Sequence, residues 1–367
     1  MNPIPFADLR PMHARIRSEI MEAFEHVYDH NWFLLGQRLS QFETAYAGFN
    51  NVRHALGVSN GLDALRIALT ALDISAGDEV ILPANTFIAT ALAIIHTGAT
   101  PVFVDPDNRT YNIDVSTLEE AITEKTKAII PVHLYGQSCN MPEIMASAER
   151  HGLFVVEDNA QAQGARFNGQ LTGSWGHINA TSFYPGKNLG ALGDAGGITT
   201  NNEALARTAA ILRNYGAEEK YRHTHIGFNM RMDECQAAFL LIKLKYLMLW
   251  TEEKRTIASW YDQRLQHIDD LVLPYVHPDA YHVYHLYVIR TAQRRQLQEH
   301  LASKGISTLI HYPVPLHKEK IFSDMLPAGN LFPVAESLAA TCLSLPLWVG
   351  MQEHEVDSIC KEIQNFF

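Results

Sequence analysis

The stretch LFVVEDNAQAQGA, residues 153–165, decides the reading of this chain. Four apolar residues, Leu153 to Val156, run into two carboxylates, Glu157 and Asp158, and then into a turn of small and amide residues. A short, uninterrupted apolar run bounded in this way predicts a strand buried on both faces. Working outward, comparable β-branched runs recur at 54–58, 79–83, 100–104, 128–133, 180–183 and 197–200, beside 154–157 itself. Helical periodicity fills the gaps at 63–71, 88–96, 115–122, 142–151 and 203–214. This alternation predicts an α/β fold with a largely parallel sheet and helices on both faces. Ligands in such sheets lie outside the carboxyl ends of the strands, which is where Asp158 falls.

Beyond the alternating region, apolar residues at helical spacing predict one long helix from about 232 to 265, packed in a core or a subunit interface. Residues from about 270 onward predict a strand at 284–290 and two helices separated by prolines. The chain therefore divides into a large unit, 1–250, and a smaller C-terminal unit, 251–367. Its 367 residues carry a net charge of −11, with 47% apolar and 19% charged residues, which excludes a disordered or collagen-like chain. An acidic balance with no basic run argues against nucleic acid or an anionic membrane as partner. MNPIPFADLR lacks the apolar core of a signal peptide, and no apolar run approaches a membrane span. Cys139, Cys235, Cys342 and Cys360 form no CxxC pair, so they are expected as packed thiols in a reducing cytoplasm. The 18 histidines include no HExxH, there is no Walker A loop, and a metal site is not expected.

Six segments carry residues suited to chemistry. In SFYPGKNLGALGDAGG (182–197) a single lysine, Lys187, stands among glycines that let backbone approach a ligand. Lysine forms imines with carbonyl compounds once it is desolvated and loses its proton. Asp158 is either the N-cap of a following helix or a carboxylate aimed at a cofactor. Its spacing from Lys187, one strand plus its connection, lets both face one cleft. A lysine imine with a carboxylate on a pyridinium nitrogen is the protein's share of pyridoxal-phosphate chemistry. ALGVSNGLDALRIAL (55–69) reads as strand, turn and helix, and the N–H groups of Asn60, Gly61 and Leu62 at the helix start suit a phosphate. The same stretch matches GxSxG at Ser59, the nucleophile elbow of serine hydrolases, and periodicity does not separate the two readings. Phe87 in PANTFIATALAI (83–94) is either core or a stacking ring. Asn229, Arg231 and Asp233 crowd IGFNMRMDECQAA (226–238), where Asp233 also suits a helix cap. His311 and Tyr312 in LIHYPVPLH (309–317) fit a loop facing a cleft.

Together these segments resemble the fold-type I pyridoxal-phosphate aminotransferases that act on nucleotide-linked keto-sugars, the DegT/DnrJ/EryC1/StrS family. The resemblance runs nearly end to end, from FADLRPMHARI and NWFLLGQRLSQFE through HYPVPLH to LSLPLW. It implies a large domain with a mainly parallel mixed sheet and a smaller C-terminal α/β domain. It implies that Lys187 holds pyridoxal 5'-phosphate as an imine and moves the proton, that Asp158 pairs with the ring nitrogen, and that Gln161 contacts the ring hydroxyl. Phe87 would stack on the ring. The Gly61 and Leu62 amides, with the Ser182 hydroxyl, would hold the phosphate, and Asn229 would reach it from the other subunit of a homodimer. Tyr184, His311 and Tyr312 would line the sugar pocket. Lys220, Tyr221 and Arg231 would meet the nucleotide diphosphate, an anion that an acidic protein binds only with local cations. SNGLDAL, PANTFIAT, TYNID and VHLYGQ are most similar to enzymes that aminate C3 of dTDP-3-keto-6-deoxyhexoses with L-glutamate as donor. The nearest rival is C4 amination of a UDP- or GDP-linked 4-keto sugar. Many relatives carry Thr at the position of Leu62, so modestly weaker cofactor retention is expected here. Relatives that deoxygenate the sugar replace the lysine with histidine, so Lys187 favours transamination. A serine hydrolase built on Ser59 and a cofactor-binding sensor without turnover are the alternatives from other classes.

Overall fold

The computed structural model describes residues 3–323 and 331–367. Seven strands build the central sheet: β1 (His54–Val58), β2 (Glu79–Pro83), β3 (Thr100–Val104), β4 (Thr126–Ile129), β5 (Phe154–Asp158), β6 (Ile178–Ser182) and β7 (Gly196–Thr200). Their order is β1-β7-β6-β5-β4-β2-β3. Adjacent strands from β6 to β3 pair parallel, whereas β7 is antiparallel to both β6 and β1. Parallel neighbours need a helical crossover, and the link from β6 to β7 contains no helix, so β7 returns antiparallel. The middles of the central strands are apolar because helices cover both faces: Val80, Ile81, Leu82, Val155 and Val156 are fully buried. Helix Gly61–Ala71 buries Leu65, Ile67 and Leu69 against the sheet. Each such side chain contributes about 1.5–3 kcal/mol on burial.

Several expected boundaries move, for identifiable reasons. β4 stops at Ile129 rather than 133, because Pro131 has no N–H for the ladder. Its carbonyl still accepts from Asp158 N–H at 2.9 Å. β6 starts at Ile178 rather than 180 and includes buried Asn179, whose Nδ2 donates to the carbonyls of Gly173 (3.0 Å) and Thr199 (3.2 Å). The single long helix expected over 232–265 is two helices, Glu234–Leu244 and Leu247–Leu265. The break is closed by i→i+3 bonds from the Lys245 and Tyr246 N–H groups to Ile242 and Lys243.

The C-terminal part forms a second core around the antiparallel pair Tyr287–Arg290 and Cys342–Leu345. Among the described residues it carries three longer helices, Arg294–Ser303, Pro333–Thr341 and Glu353–Phe366, not two. Pro333 occupies the first turn of its helix, where a missing N–H costs nothing, and so starts a helix instead of interrupting one. Residue 250, the expected division, falls inside helix Leu247–Leu265. Leu247 packs with the large unit, while Ile257, Ala258, Tyr261 and Leu265 join the second core. Among the described residues no helix is long and apolar enough to cross a membrane.

Candidate active site

A cleft of about 890 Å³ opens at the carboxyl edge of the sheet, between β5, β6, the first turns of helices Gly61–Ala71 and Ile88–Ile95, and the C-terminal unit. Gly61, Leu62, Phe87, Asp158, Gln161, Ser182, Tyr184, Lys187, His311 and Tyr312 all line it. Strand alternation explains why only one of the two carboxylates ending β5 arrives there. Glu157 points the other way. It is fully buried and accepts from the N–H groups of Gly173, Trp175 and Gly176 and from His133 Nε2 at 2.7–2.9 Å, so it staples a loop. Asp158 faces the cleft. Its Oδ2 accepts from Thr90 Oγ1 at 2.9 Å and its Oδ1 from Ala160 N–H at 3.1 Å. Burial raises its carboxyl above the usual range, against those two hydrogen bonds and the charge of Lys187.

Lys187 lies in the loop between β6 and β7. Desolvation pulls its ammonium down to about 8, and Asp158 opposes that shift. The loop folds back on itself through Phe183 N–H to Ala195 O and Ala191 N–H to Phe183 O. Glycine is required where it meets the helix start: a Cβ on Gly196 would lie 2.2 Å from the Asn60 carbonyl, and one on Gly61 would lie 2.7 Å from Ser182 Cβ. The helix opens with Asn60 as cap, its Oδ1 accepting from Asp63 N–H at 2.9 Å. The first intrahelical bond comes from Ala64 N–H. The Gly61 and Leu62 N–H groups thus head the helix beside Ser182, the geometry of an anion cradle.

On the opposite wall, Gln161 donates from Nε2 to Tyr312 Oη at 3.1 Å and accepts from Tyr135 N–H at 2.7 Å. The Phe87 ring, half exposed at 51%, lies 5.4 Å from that of Tyr312. His311 is held at Nδ1 by Ser344 Oγ (2.8 Å), and burial, helped by Lys187, lowers it to about 4, so it is neutral. Burial raises the Tyr312 phenol, which stays protonated.

Six of the residues singled out in the sequence lie away from this cleft. Lys220 and Tyr221 are at the tip of the hairpin 217–223, with Tyr221 83% exposed. Asn229 bridges to Asn214, and Arg231 donates to Asn214 Oδ1 at 3.1 Å with its guanidinium 5.2 Å over the Tyr215 ring. Asp233 is a helix cap, accepting from Gln236 N–H at 2.8 Å. Ser59 donates to the Asp63 carboxylate rather than to a histidine, so no nucleophile elbow is assembled. The structure adds residues that the sequence reading did not single out: Thr90, Asn188, Lys254, His285 and Trp348. Thr90 had a signal, lying one helical turn after Phe87 and so on the same face.

A desolvated amine, a buried carboxylate and an anion cradle in one cleft of this sheet fit each functional part of pyridoxal phosphate. They define a pyridoxal-phosphate aminotransferase of the large-domain, small-domain α/β type. The comparisons narrow the class. The chain belongs to the DegT/DnrJ/EryC1/StrS aminotransferase family, which matches residues 14–364. It is 47% identical to a dTDP-3-amino-3,6-dideoxy-alpha-D-galactopyranose transaminase of Aneurinibacillus thermoaerophilus, over 99% of each chain. It is 44% identical to a UDP-N-acetyl-3-dehydro-alpha-D-glucosamine 3-aminotransferase of Acidithiobacillus ferrooxidans, over 99% of this chain and 97% of that one. Among solved structures it superposes on Streptomyces venezuelae DesV in complex with a ketimine intermediate, with TM-score 0.97 and 41% identity over 100% of this chain and 99% of that one. The chain is a pyridoxal-phosphate-dependent sugar-nucleotide aminotransferase.

Proposed function

We propose that the enzyme moves the amino group of L-glutamate to C3 of a dTDP-linked 3-keto-6-deoxyhexose, giving the 3-amino sugar. The observation that carries this is the Lys187 amine, desolvated and facing Asp158 in a cleft open to a large ligand. The position of amination is supported by the two relatives named above, both of which are 3-aminotransferases or make 3-amino sugars.

Bound pyridoxal phosphate supplies an aldehyde carbon that accepts the amino group and a ring that draws electrons from the carbon being deprotonated. The Gly61 and Leu62 N–H groups and the Ser182 hydroxyl would hold its phosphate, Phe87 would lie on its ring, Asp158 would keep the ring nitrogen protonated, and Gln161 would reach the ring hydroxyl. Leu62 offers its backbone but no hydroxyl to the phosphate. Lys187 Nζ takes the proton from the donor's α-carbon, and on the return half-reaction it delivers a proton to C3 of the sugar. A lysine near 8 serves both directions close to neutral pH, because each protonation state is populated. Tyr184 and neutral His311, with Tyr312, orient the hexose without charge. In this reading the large unit, 1–250, carries the cofactor and the small unit, 251–367, closes the sugar side through His311 and Tyr312.

The enzyme works as a homodimer in this reading. Trp32, Phe33, Leu34 and Leu35 are exposed together, and Trp32 reaches 65%. They lie beside the start of helix Glu234–Leu244, where Glu234 accepts from the Gly36, Arg38 and Leu39 N–H groups. Leu34 in this face bridges to Asp233, two residues after Arg231 and four after Asn229. A second copy seated there would cover it and bring Asn229, Lys220, Tyr221 and Arg231 toward its own cleft, supplying the phosphate contact and the diphosphate cations.

The test is turnover of purified enzyme with L-glutamate against dTDP- and UDP-linked 3-keto sugars and UDP- and GDP-linked 4-keto sugars, with amine products read by mass spectrometry. The expected best substrate by kcat/KM is the dTDP-linked 3-keto-6-deoxyhexose. Preference for the UDP-linked 3-keto sugar would change the nucleotide, and turnover of 4-keto sugars alone would overturn the C3 assignment.

A further inference from the structure

One charged group in the cleft has no role in the site as built so far. Lys254 sits on helix Leu247–Leu265, on the stripe that buries Trp250, Ile257, Ala258, Tyr261 and Leu265. It is only 7% exposed, and it lines the cleft. Its Nζ donates to Asn188 Oδ1 at 2.8 Å. Asn188 Nδ2 in turn donates to the Val283 carbonyl at 2.9 Å, which fixes the amide with its oxygen toward the lysine. An ammonium has three donors, and this arrangement uses one. Burial alone pulls Lys254 down to about 7, with no carboxylate acting against it. Burial keeps His282 and His285 neutral, helped by Arg255 and then Lys254 at His282 and by Lys187 and then Lys254 at His285, so neither competes for an anion. A desolvated cation with free donors and no counter-charge is completed by an anion that arrives with the ligand.

The anions of the reaction can be sorted by place. The cofactor phosphate has its own cradle at Gly61, Leu62 and Ser182. The diphosphate has Lys220 and Arg231, which lie outside this chain's cleft. Asn188, the residue that holds Lys254, directly follows Lys187, and both lysines line the cleft and act on His285, so the cation shares the cleft with the amine that handles the donor's α-proton. We propose that Lys254, positioned by Asn188, anchors the side-chain carboxylate of the amino donor and thereby selects a dicarboxylic amino acid of the glutamate class. The proposal rests on the transamination reading above.

The experiment titrates glutarate, a dicarboxylate with no amino group, into cofactor-loaded enzyme by calorimetry, with thymidine diphosphate as the second ligand. Lys254→Met should weaken glutarate at least tenfold, and should raise the KM for L-glutamate by a similar factor. It should leave thymidine diphosphate binding and the KM for the keto-sugar within twofold of wild type. Lys254→Arg, which keeps the charge, should recover part of the glutarate affinity. If the methionine variant does not fold, Lys254→Gln keeps a donor to Asn188 and removes only the charge. Equal glutarate affinity in wild type and the neutral variants, no glutarate binding to wild type, or a parallel loss of thymidine diphosphate binding would each overturn the proposal. A wild-type enzyme that aminates no sugar with any donor defeats the transamination reading instead, independently of Lys254.

Discussion

Covalent capture of pyridoxal phosphate by the cofactor-free protein should depend on pH in a way set by Lys187. Only the neutral amine attacks an aldehyde. Burial places this amine near 8 instead of its ordinary 10.5. About a tenth of it is then neutral at pH 7, against roughly three parts in ten thousand for a solvated lysine. From pH 7 to 9 the capture rate should therefore rise about tenfold and level off, whereas a solvated lysine would gain about a hundredfold with no bend. The cofactor's phosphate does not blur this window, since its second ionisation is complete above about pH 7. Asp158 holds the value up, so Asp158→Asn should move the bend to lower pH. The assay is stopped-flow absorbance with excess pyridoxal phosphate, and Lys187→Ala serves as the blank for other amines. A hundredfold climb through pH 9 without a bend would show that the Lys187 amine is solvated and would refute the electrostatic argument for the site.

Two further outcomes follow from the same geometry. Lys187→Ala should show no detectable amino-sugar formation while its cofactor-free form melts no lower than wild type. A folded-state pKa below the unfolded one means that the charged amine opposes folding at pH 7, an effect that fades as pH rises from about 8 toward 10.5. Turnover in that variant would remove the lysine from the mechanism. Gly61→Ala places a methyl 2.7 Å from Ser182 Cβ and must push the cradle apart, so the dissociation constant for pyridoxal phosphate should rise about tenfold or more by equilibrium dialysis with the fold kept. Unchanged affinity would move the phosphate elsewhere.

β1, β2 and β3 match their expected spans, because each apolar run is bounded by polar or turn residues at its ends. The misses mark places where tertiary partners override local preference. Asn179 sits inside β6 because two carbonyls accept from its Nδ2. The break at Lys245 and Tyr246 has no signal, since neither residue disfavours a helix. Of the site, the residues around the lysine loop, β5 and the helix start were readable because parallel strands open their carboxyl ends on one edge, so chemistry-bearing residues that follow strands share a cleft.

What sequence order alone determined, then, is the sheet, the edge where ligands bind and the side chains that end strands there. The crossing of helix Leu247–Leu265 behind the 183–195 loop was decided only in three dimensions. Lys254 reads in sequence as one position of a packing stripe, and it becomes a cation of the Lys187 cleft only because that helix crosses there and Asn188, sixty-six residues away, accepts from it. Periodicity reports which face of an element is buried, but not which distant element buries it, and the charges that complete this cleft come from that second kind of information.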